Sequence, residues 1–442
     1  MKRGRILFVG ALLPLVLLGW VPPALAVPGD SLWSKTIAGS GSGDDSAFDV
    51  EVSPDGTRAF VTGWVISSTG GYDLLTGAYD TASGTKLWQK RYDGPVHGLD
   101  QSMDLALLGS RVFVTGTSKR GGAAGDDIVT FAYDAATGAR LWMNRYNSPA
   151  NDDDSGWSVD AVTGHVVVIG QSGIKIITLS LSPRTGAVQW VRRTKKWGEP
   201  SVVVARGSRA YVVGRTISSG YSDAWATAYR TDTGAAVWTR TWKAAAANVH
   251  DGFDDAALSS DGAHLYALGT TGKTMLLQAL NAASGAIRWT RRPAPQVDGN
   301  DQGQGVAVAP NGSAVFITGE SRDSFSDETY LTMAYDSDGG SLWTAREQAF
   351  EDGGSTRDIA TSPDGTEVWV TGAGWISISS YVGPLTVAYD AAVGAPSLWR
   401  HYTESLTPYG SSANAVAAAP DGSAVYIAGQ LESDIFIEAY EV

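Results

Sequence analysis

Two histidines with acidic neighbours are the side chains in this sequence best suited to proton transfer. His97 comes shortly before Asp100, and His250 is followed directly by Asp251. An imidazole beside a carboxylate can act as a general base near neutral pH. A loop histidine without a catalytic role is the simpler alternative, since no G-x-S-x-G, H-E-x-x-H or P-loop motif is present. We therefore assign no catalytic residue and favour a protein that is not an enzyme.

Aspartates recur at two places in the sequence repeat described below. The first place holds Asp45, Asp100, Asp154, Asp251 and Asp301. The second place holds Asp49, Asp104, Asp255 and Asp358. These carboxylates could form a ring that binds Ca²⁺ or a cationic partner, or each could accept backbone N–H bonds and fix a loop. Regular repetition favours the structural alternative, because a binding site needs asymmetry.

A separate acidic run at 298–303 has part of the spacing of a calcium loop but not its full order. Ca²⁺ is therefore the one cofactor that the sequence leaves open, and no metal ligand is assigned.

Aromatic residues in the predicted loops offer a second kind of surface. Trp64 and Trp375 have no counterparts in most repeat units, so we consider them candidates for stacking against a sugar or a peptide. Other loop aromatics recur at similar places and indicate packing within the loops; they are Tyr72, Tyr221, Phe325 and Tyr381.

An internal repeat of about fifty residues must position these candidates. One marker is a tryptophan shortly after a turn glycine, found at Trp88, Trp142, Trp190, Trp238, Trp289, Trp343 and Trp399. The other is an apolar strand that ends in glycine, found at Gly63, Gly116, Gly170, Gly214, Gly269, Gly319, Gly372 and Gly429. Each unit reads as four short strands, a to d, joined by turns such as Pro-Asp-Gly and Thr-Gly.

The two markers differ in number, and the difference predicts how the fold closes. The eighth tryptophan is Trp33, which lies before the first complete unit, whereas the last unit supplies only three strands. We therefore predict an all-β, eight-bladed β-propeller of four-stranded antiparallel blades, whose last blade is completed by the strand at 32–37.

The first 26 residues have the pattern of a secretory signal peptide, with Lys2, Arg3 and Arg5 before an apolar run and Ala24–Ala26 at its end. A transmembrane anchor is the alternative, but the run is shorter than the ~20 residues that span a bilayer and contains Pro14. We expect residues 27–442 to form a single propeller domain that is secreted, either extracellular or in the cell envelope.

Composition excludes several classes of function. The chain has 442 residues, a formal net charge of −13 and no cysteine. The absence of cysteine excludes disulfides, thiol catalysis and zinc-thiolate sites, and the acidic balance argues against nucleic acid as a partner. We expect a monomer with no transmembrane segment.

The motif Ala-Tyr-Asp…Gly…Trp at 78–88 and 132–142 resembles the tryptophan-docking repeat of pyrroloquinoline-quinone-type propellers. The Asp-rich and Val-Thr-Gly half of each unit also resembles secreted bacterial β-propeller repeat proteins of the SBBP type. Relatives of this kind include quinone dehydrogenases and a non-catalytic, protein-binding scaffold for outer-membrane assembly. The resemblance implies the fold, and it implies an adjacent-cysteine disulfide for many quinone enzymes, which this chain lacks.

These observations predict a binding or scaffolding propeller that recognises a protein or a glycan through its d–a and b–c loops, which share one face. A propeller-type polysaccharide lyase or hydrolase that uses His97 or His250 is the alternative, and a quinone-dependent dehydrogenase is the third.

Overall fold

The computed structural model describes residues 27–121, 125–244, 249–293, 300–322, 328–347, 353–376, 381–403, 405 and 410–442. Within these ranges the chain forms 32 strands in eight four-stranded antiparallel sheets, with no helix. The predicted all-β, eight-bladed propeller is therefore confirmed. The proposed signal peptide at 1–26 lies outside the described residues.

Each blade follows the predicted order a, b, c, d. Blade 1 comprises β2 (Ser46–Val52), β3 (Arg58–Ile66), β4 (Tyr72–Asp80) and β5 (Lys86–Tyr92). Blade 2 comprises β6 (Asp100–Leu108), β7 (Arg111–Ser118), β8 (Asp127–Asp134) and β9 (Arg140–Tyr146). Blade 3 comprises β10 (Asp154–Val162), β11 (His165–Ser172), β12 (Lys175–Leu181) and β13 (Val188–Arg193). Blade 4 comprises β14 (Trp197–Arg206), β15 (Arg209–Ser218), β16 (Tyr221–Arg230) and β17 (Ala236–Trp242).

The second half of the ring repeats this plan. Blade 5 comprises β18 (Asp251–Leu258), β19 (His264–Thr271), β20 (Thr274–Asn281) and β21 (Ile287–Arg291). Blade 6 comprises β22 (Asn300–Val308), β23 (Ala314–Arg322), β24 (Glu328–Asp336) and β25 (Ser341–Glu347). Blade 7 comprises β26 (Gly354–Thr361), β27 (Glu367–Ile376), β28 (Tyr381–Asp390) and β29 (Trp399–Tyr402). Blade 8 comprises β30 (Ser412–Ala418), β31 (Ala424–Leu431), β32 (Asp434–Glu441) and β1 (Ser31–Ile37).

Blade 8 joins strands from opposite ends of the described chain. Strand β1 pairs antiparallel with β32, from Ser31 opposite Tyr440 to Ile37 opposite Ile435, and takes the place of strand d. Blade 8 then packs against blade 1 through a shared apolar cluster that includes Trp33 and Tyr426. The predicted closure of the ring by the strand at 32–37 is thus confirmed.

Tryptophans of the d strands hold each blade against the next. The indole of each of these tryptophans faces a turn glycine of the following blade, so close that a Cβ on the glycine would meet the ring. The pairs are Trp33 with Gly84, Trp88 with Gly138, Trp142 with Gly186, Trp190 with Gly234, Trp238 with Gly285, Trp289 with Gly339, Trp343 with Gly394 and Trp399 with Gly29. Seven of these indoles also donate Nε1–H to a carbonyl of the same turn, as Trp190 does to Thr231 at 2.7 Å.

A β-bulge interrupts every a–b strand pair and explains the second sequence marker. In blade 2 the register shifts between Ser102 and Asp104, opposite Gly116. A Cβ at Gly116 would overlap with the carbonyl oxygen of Gln101, and the marker glycines of the other seven blades make the same close approach. Only glycine fits where the backbone of strand a comes so near to strand b.

We predict that the indole hydrogen bond, separately from the stacking, stabilises each junction. Trp190→Phe removes the bond to Thr231 and should lower the free energy of unfolding by about 1 kcal/mol more than Trp399→Phe does. Nε1 of Trp399 is buried and has no acceptor among the described residues, so this variant is the matched control. Equal losses for the two variants in urea unfolding would contradict the prediction.

A second prediction concerns ring closure. A chain that starts at residue 39 lacks β1 and exposes the edge of β32, which should lower the melting temperature and promote association between copies. A chain that starts at residue 27 is the control and should unfold as a monomer. Calorimetry together with light scattering measures both effects, and indistinguishable behaviour of the two chains would show that β1 does not fasten the ring.

Candidate functional site

The five aspartates of the first repeat place fix the loops that lead into strand a. All five are buried, with at most 2% of each side chain exposed. Their carboxylates accept backbone N–H bonds, for example from Gly94 to Asp100 at 2.7 Å and from Ala244 to Asp251 at 2.8 Å. Asp45 and Asp154 are held in the same way, whereas Asp301 accepts a bond from the Ser321 hydroxyl at 2.7 Å. These aspartates therefore position loops, and little of each carboxylate is accessible to solvent.

The aspartates of the second repeat place connect neighbouring a strands around the central channel. Asp104 of blade 2 accepts a bond from the backbone N–H of Val159 in blade 3 at 2.7 Å. Asp49, Asp255 and Asp358 make the same bond to the next blade, at 2.8–2.9 Å. Sequence reasoning missed Asp160, which reaches Ala205 in blade 4 at 2.6 Å. We call Asp49, Asp104, Asp160, Asp255 and Asp358 the bridging aspartates.

Burial raises the pKa of the bridging aspartates and of Glu51, which lies beside them. The pKa of Glu51 is raised to about 8 and that of Asp255 to about 7. The pKa values of Asp160 and Asp358 are raised to about 6. Burial is the largest cause in each case, and repulsion from neighbouring carboxylates adds to it. Burial on the channel wall therefore favours the protonated form of these carboxyl groups.

The carboxyl groups of the channel wall do not suit a tricarboxylate quinone. A tricarboxylate quinone would meet carboxyl groups of Glu51 and the bridging aspartates on the channel wall, without a cysteine pair beside it. No group of three or more His, Asp or Glu side chains among the described residues is arranged to hold a metal ion. Part of the acidic run at 298–303 lies outside the described residues.

The two candidate histidines lie in different d–a loops and do not have the carboxylate partners expected from sequence. His97 is exposed, and its Nδ1 lies 2.5 Å from Asp93 rather than near Asp100, which raises the pKa of the imidazole. His250 is also exposed, with Nδ1 3.4 Å from the Ser222 hydroxyl and its ring 5.3 Å from that of Tyr221. The carboxylate of Asp251 is directed to the backbone of its own loop.

His250 instead belongs to a cavity of about 290 Å³ that three blades form on the loop face. We call this cavity the polar pocket; it is lined by Arg215, Ser222, His250, Asp254, Gln302 and Gln304, among others. Gly252 and Gly303 leave room between the polar side chains. Arg215 donates to Glu199 at 2.7 Å, and burial raises the pKa of Asp254. The cavity is thus lined by the Arg215 guanidinium, the Asp254 carboxyl and the amides of Gln302 and Gln304.

The two candidate tryptophans lie in blades 1 and 7, on either side of blade 8. Trp64 is half-buried between Phe48 and Tyr72, with ring centroids 4.4 and 5.8 Å away, and donates to the Asp44 carbonyl at 3.3 Å. Trp375 is also half-buried. Phe325 lies outside the described residues. The contacts of Trp64 with Phe48 and Tyr72 form a local aromatic cluster. Because Trp64 is half-buried, part of its indole is accessible to solvent.

Sequence reasoning missed a more exposed apolar surface in blades 3 and 4. Trp157, Ile174 and Trp197 are 40%, 46% and 55% exposed, and we call them the apolar patch. Trp157 is the extra residue of the β10 bulge, and Gly198 bonds to the Ile174 carbonyl, which brings Trp197 beside the b–c turn of blade 3. The sequence offered one signal for this surface. Trp157 and Trp197 are additional tryptophans in blades that already have a docking tryptophan.

The raised pKa values predict a pH dependence of stability. The folded chain binds more protons than the unfolded chain between about pH 4 and 8, so the stabilisation is complete at low pH and is lost as pH rises through the raised values. We expect the melting temperature to fall from about pH 5 to about pH 8, and to fall less in Asp255→Asn. Asp55→Asn is the control, because that exposed turn carboxyl has its pKa lowered to about 2 by hydrogen bonds from Ser53 and Thr57. The same dependence of melting temperature on pH in the wild-type protein, Asp255→Asn and Asp55→Asn would refute the raised pKa of Asp255.

Comparison with known proteins agrees with this architecture. A family model described as outer membrane protein assembly factor BamB matches residues 20–214. No curated protein matches the chain by sequence. The described residues include no helix long and apolar enough to cross a membrane.

Three solved structures illustrate the range of similar proteins. BamB from Moraxella catarrhalis is 15% identical with a TM-score of 0.52, over 93% of this chain and 97% of that one. A quinohemoprotein alcohol dehydrogenase from Pseudomonas putida is 13% identical with a TM-score of 0.60, over 93% and 76%. Sqt1 from Chaetomium thermophilum, bound to the N-terminus of a ribosomal protein, is 13% identical with a TM-score of 0.61, over 93% and 100%.

These matches confirm the resemblance to quinone-type and assembly-scaffold propellers. At such low identities the solved structures show the shared fold alone, and that fold carries both binding proteins and dehydrogenases.

Proposed function

We propose that this chain is a secreted, non-catalytic binding propeller that takes up a segment of a protein partner on its loop face, across blades 3 to 6. The observation that carries the proposal is that the apolar patch and the polar pocket lie in neighbouring blades, with Trp197 in the same strand as Glu199, the partner of Arg215. Trp157, Ile174 and Trp197 occur in blades 3 and 4, and the pocket begins at Arg215 in blade 4. Adjacent apolar and polar elements of this kind are what a protein interface combines.

The apolar patch does not recur from blade to blade, and this distinguishes it from the other exposed apolar residues of the rim. Leu87, Leu141 and Leu342 are each 44–50% exposed, but all three directly precede a docking tryptophan and so recur with the blades. Trp157 and Trp197 do not follow this repeat. Tryptophan and arginine are the residues that most often dominate the energy of protein interfaces, and this surface offers both.

The similar proteins support a protein as the partner. The matching family model is named for an assembly factor, and the Sqt1 structure contains a bound protein segment. Neither name transfers a particular partner to this chain. The signal-peptide pattern at 1–26 supports a partner outside the cytoplasm, and we extend the proposal to a single propeller domain at 27–442.

Selection of peptides on the intact propeller tests the proposal even though the partner is unidentified. A displayed library of random peptides is enriched on the wild-type protein, and the affinity of the selected peptides is measured by calorimetry. We expect Trp197→Ala and Trp157→Ala each to weaken binding at least tenfold, which corresponds to about 1.4 kcal/mol. Leu141→Ala removes an equally exposed apolar side chain from the rim and should leave the affinity unchanged.

Three other results would overturn parts of the proposal. Retention on a glycan array that is lost in Trp64→Ala would replace the protein partner with a sugar stacked on the aromatic cluster of blade 1. Cleavage of a polysaccharide panel that is abolished by His250→Ala or His97→Ala would show an enzyme. Peptides that bind equally well to wild-type, Trp157→Ala and Trp197→Ala proteins would place the interface elsewhere.

A further inference from the structure

A second cavity lies on the outer rim, where blade 8 meets blade 1. Its volume is about 580 Å³, and strand β1 forms one wall while the c–d hairpin of blade 1 forms the other. We call it the basic groove; its lining includes Lys35, Tyr79, Lys86, Gln89 and Arg91. The groove shares no residue with the polar pocket or the apolar patch.

A glycine lets the Tyr79 ring lie close to the backbone beside the basic groove, because a Cβ at Gly77 would come within 3.0 Å of that ring. Gly77 lies in strand c of blade 1 directly opposite Gln89, which lines the groove. Each of the other seven blades carries a side chain at this register position. These residues are Phe131, Leu179, Thr227, Gln278, Met333, Val387 and Glu438. Among the described blades, blade 1 is therefore the one that has no side chain at this register position.

A buried tyrosine hydroxyl at the basic groove has no hydrogen-bond partner among the described residues. In blades 4, 6 and 8 the tyrosine two residues further along strand c bonds to the side chain at this register position. The pairs are Tyr229 with Thr227, Tyr335 with Met333, and Tyr440 with Glu438. In blade 1 the equivalent residue is Tyr79, which is 2% exposed and whose hydroxyl has no hydrogen-bond partner among the described residues. A buried donor of this kind calls for an acceptor within the groove.

The charge of the basic groove is opposite to that of the whole chain. Three cations line it in a protein of net charge −13. The side-chain ammonium groups of Lys35 and Lys86 form no ion pair or hydrogen bond with any described residue, whereas Arg91 donates to the Ala38 carbonyl at 2.8 Å. At three other junctions an arginine in the place of Lys35 caps the next turn, as Arg192 does with the Gly234 carbonyl at 2.7 Å.

We propose that the basic groove binds a tetrahedral oxyanion, a phosphate or sulfate group that is free or esterified to a saccharide. Lys35 and Lys86 supply mobile positive charge, and Arg91 adds the forked N–H donors that suit such anions. The Tyr79 hydroxyl donates to an oxygen of the anion and so satisfies its own buried polar group. The volume leaves room for a sugar ring beyond the charged group.

Calorimetric titration of the intact protein at low salt tests this inference. The probes are inorganic phosphate, inorganic sulfate, and glucose 6-phosphate and glucose 6-sulfate, with unmodified glucose as the neutral reference. We expect the anions to bind and glucose not to bind, and we expect the affinity to fall as salt is added. Equal affinity for free and esterified anions identifies the free ion as the ligand, and tighter binding of the esters identifies a modified saccharide.

Three variants locate the site. The double variant Lys35→Ala/Lys86→Ala should weaken anion binding at least tenfold while the protein stays folded, since both side chains are exposed. Gly77→Leu should displace the Tyr79 ring and weaken anion binding without removing a charge, and a failure of this variant to fold leaves the lysine variant as the test. Lys195→Ala/Lys196→Ala is the matched control, because these lysines line the corresponding groove of about 320 Å³ between blades 3 and 4.

Absence of binding at millimolar anion would overturn the inference. Binding that survives Lys35→Ala/Lys86→Ala but is lost in Lys195→Ala/Lys196→Ala would overturn it as well. Loss of binding in Lys35→Ala/Lys86→Ala does not bear on the loop-face proposal, because that variant changes no residue of the polar pocket or the apolar patch.

Discussion

The contact between a d-strand indole and a glycine of the next blade is the interaction on which this structure depends. It occurs at all eight junctions, and it requires a turn glycine that leaves the ring in direct contact with the backbone. Because the stacked area is apolar and the Nε1–H bond is directional, the pair sets both the spacing and the angle between neighbouring blades. The loops on the opposite face are then carried at fixed positions, and their variation produces the binding surface.

Much of this architecture could be predicted from the sequence because the repeated contacts are local to one junction. Trp33, Trp88 and the other docking residues lie at regular intervals, and their count led to the eight blades and to the place of β1. The glycines of the second marker, in strand b, could also be recognised from the sequence, but the reason why glycine is required there could not. Only the structure shows that the carbonyl of strand a occupies the space a Cβ would need.

The candidate site was less predictable, and the bulges are one reason. A bulge shifts the alternation of strand a by one residue, so Trp157 and Asp160 face different surroundings from those that a simple period of two assigns. The polar pocket is a second case, because Arg215, His250 and Gln304 come from three blades and no local spacing relates them. Gly77 is a third, since a missing side chain matters only once the neighbouring blade is in place.

Completion of blade 8 has a consequence for how the molecule assembles. Strand β1 is synthesised first, yet its partner β32 is made some four hundred residues later. Contacts of such long sequence separation form slowly, because the loss of chain entropy precedes any gain. During translation β1 must therefore remain unpaired while seven blades take shape, and its apolar residues Trp33 and Ile37 are exposed to competing chains for that whole interval. The last step of folding is thus the one most sensitive to crowding by other nascent copies, and a chaperone that shields this short segment would act on the rate of assembly without altering the finished ring.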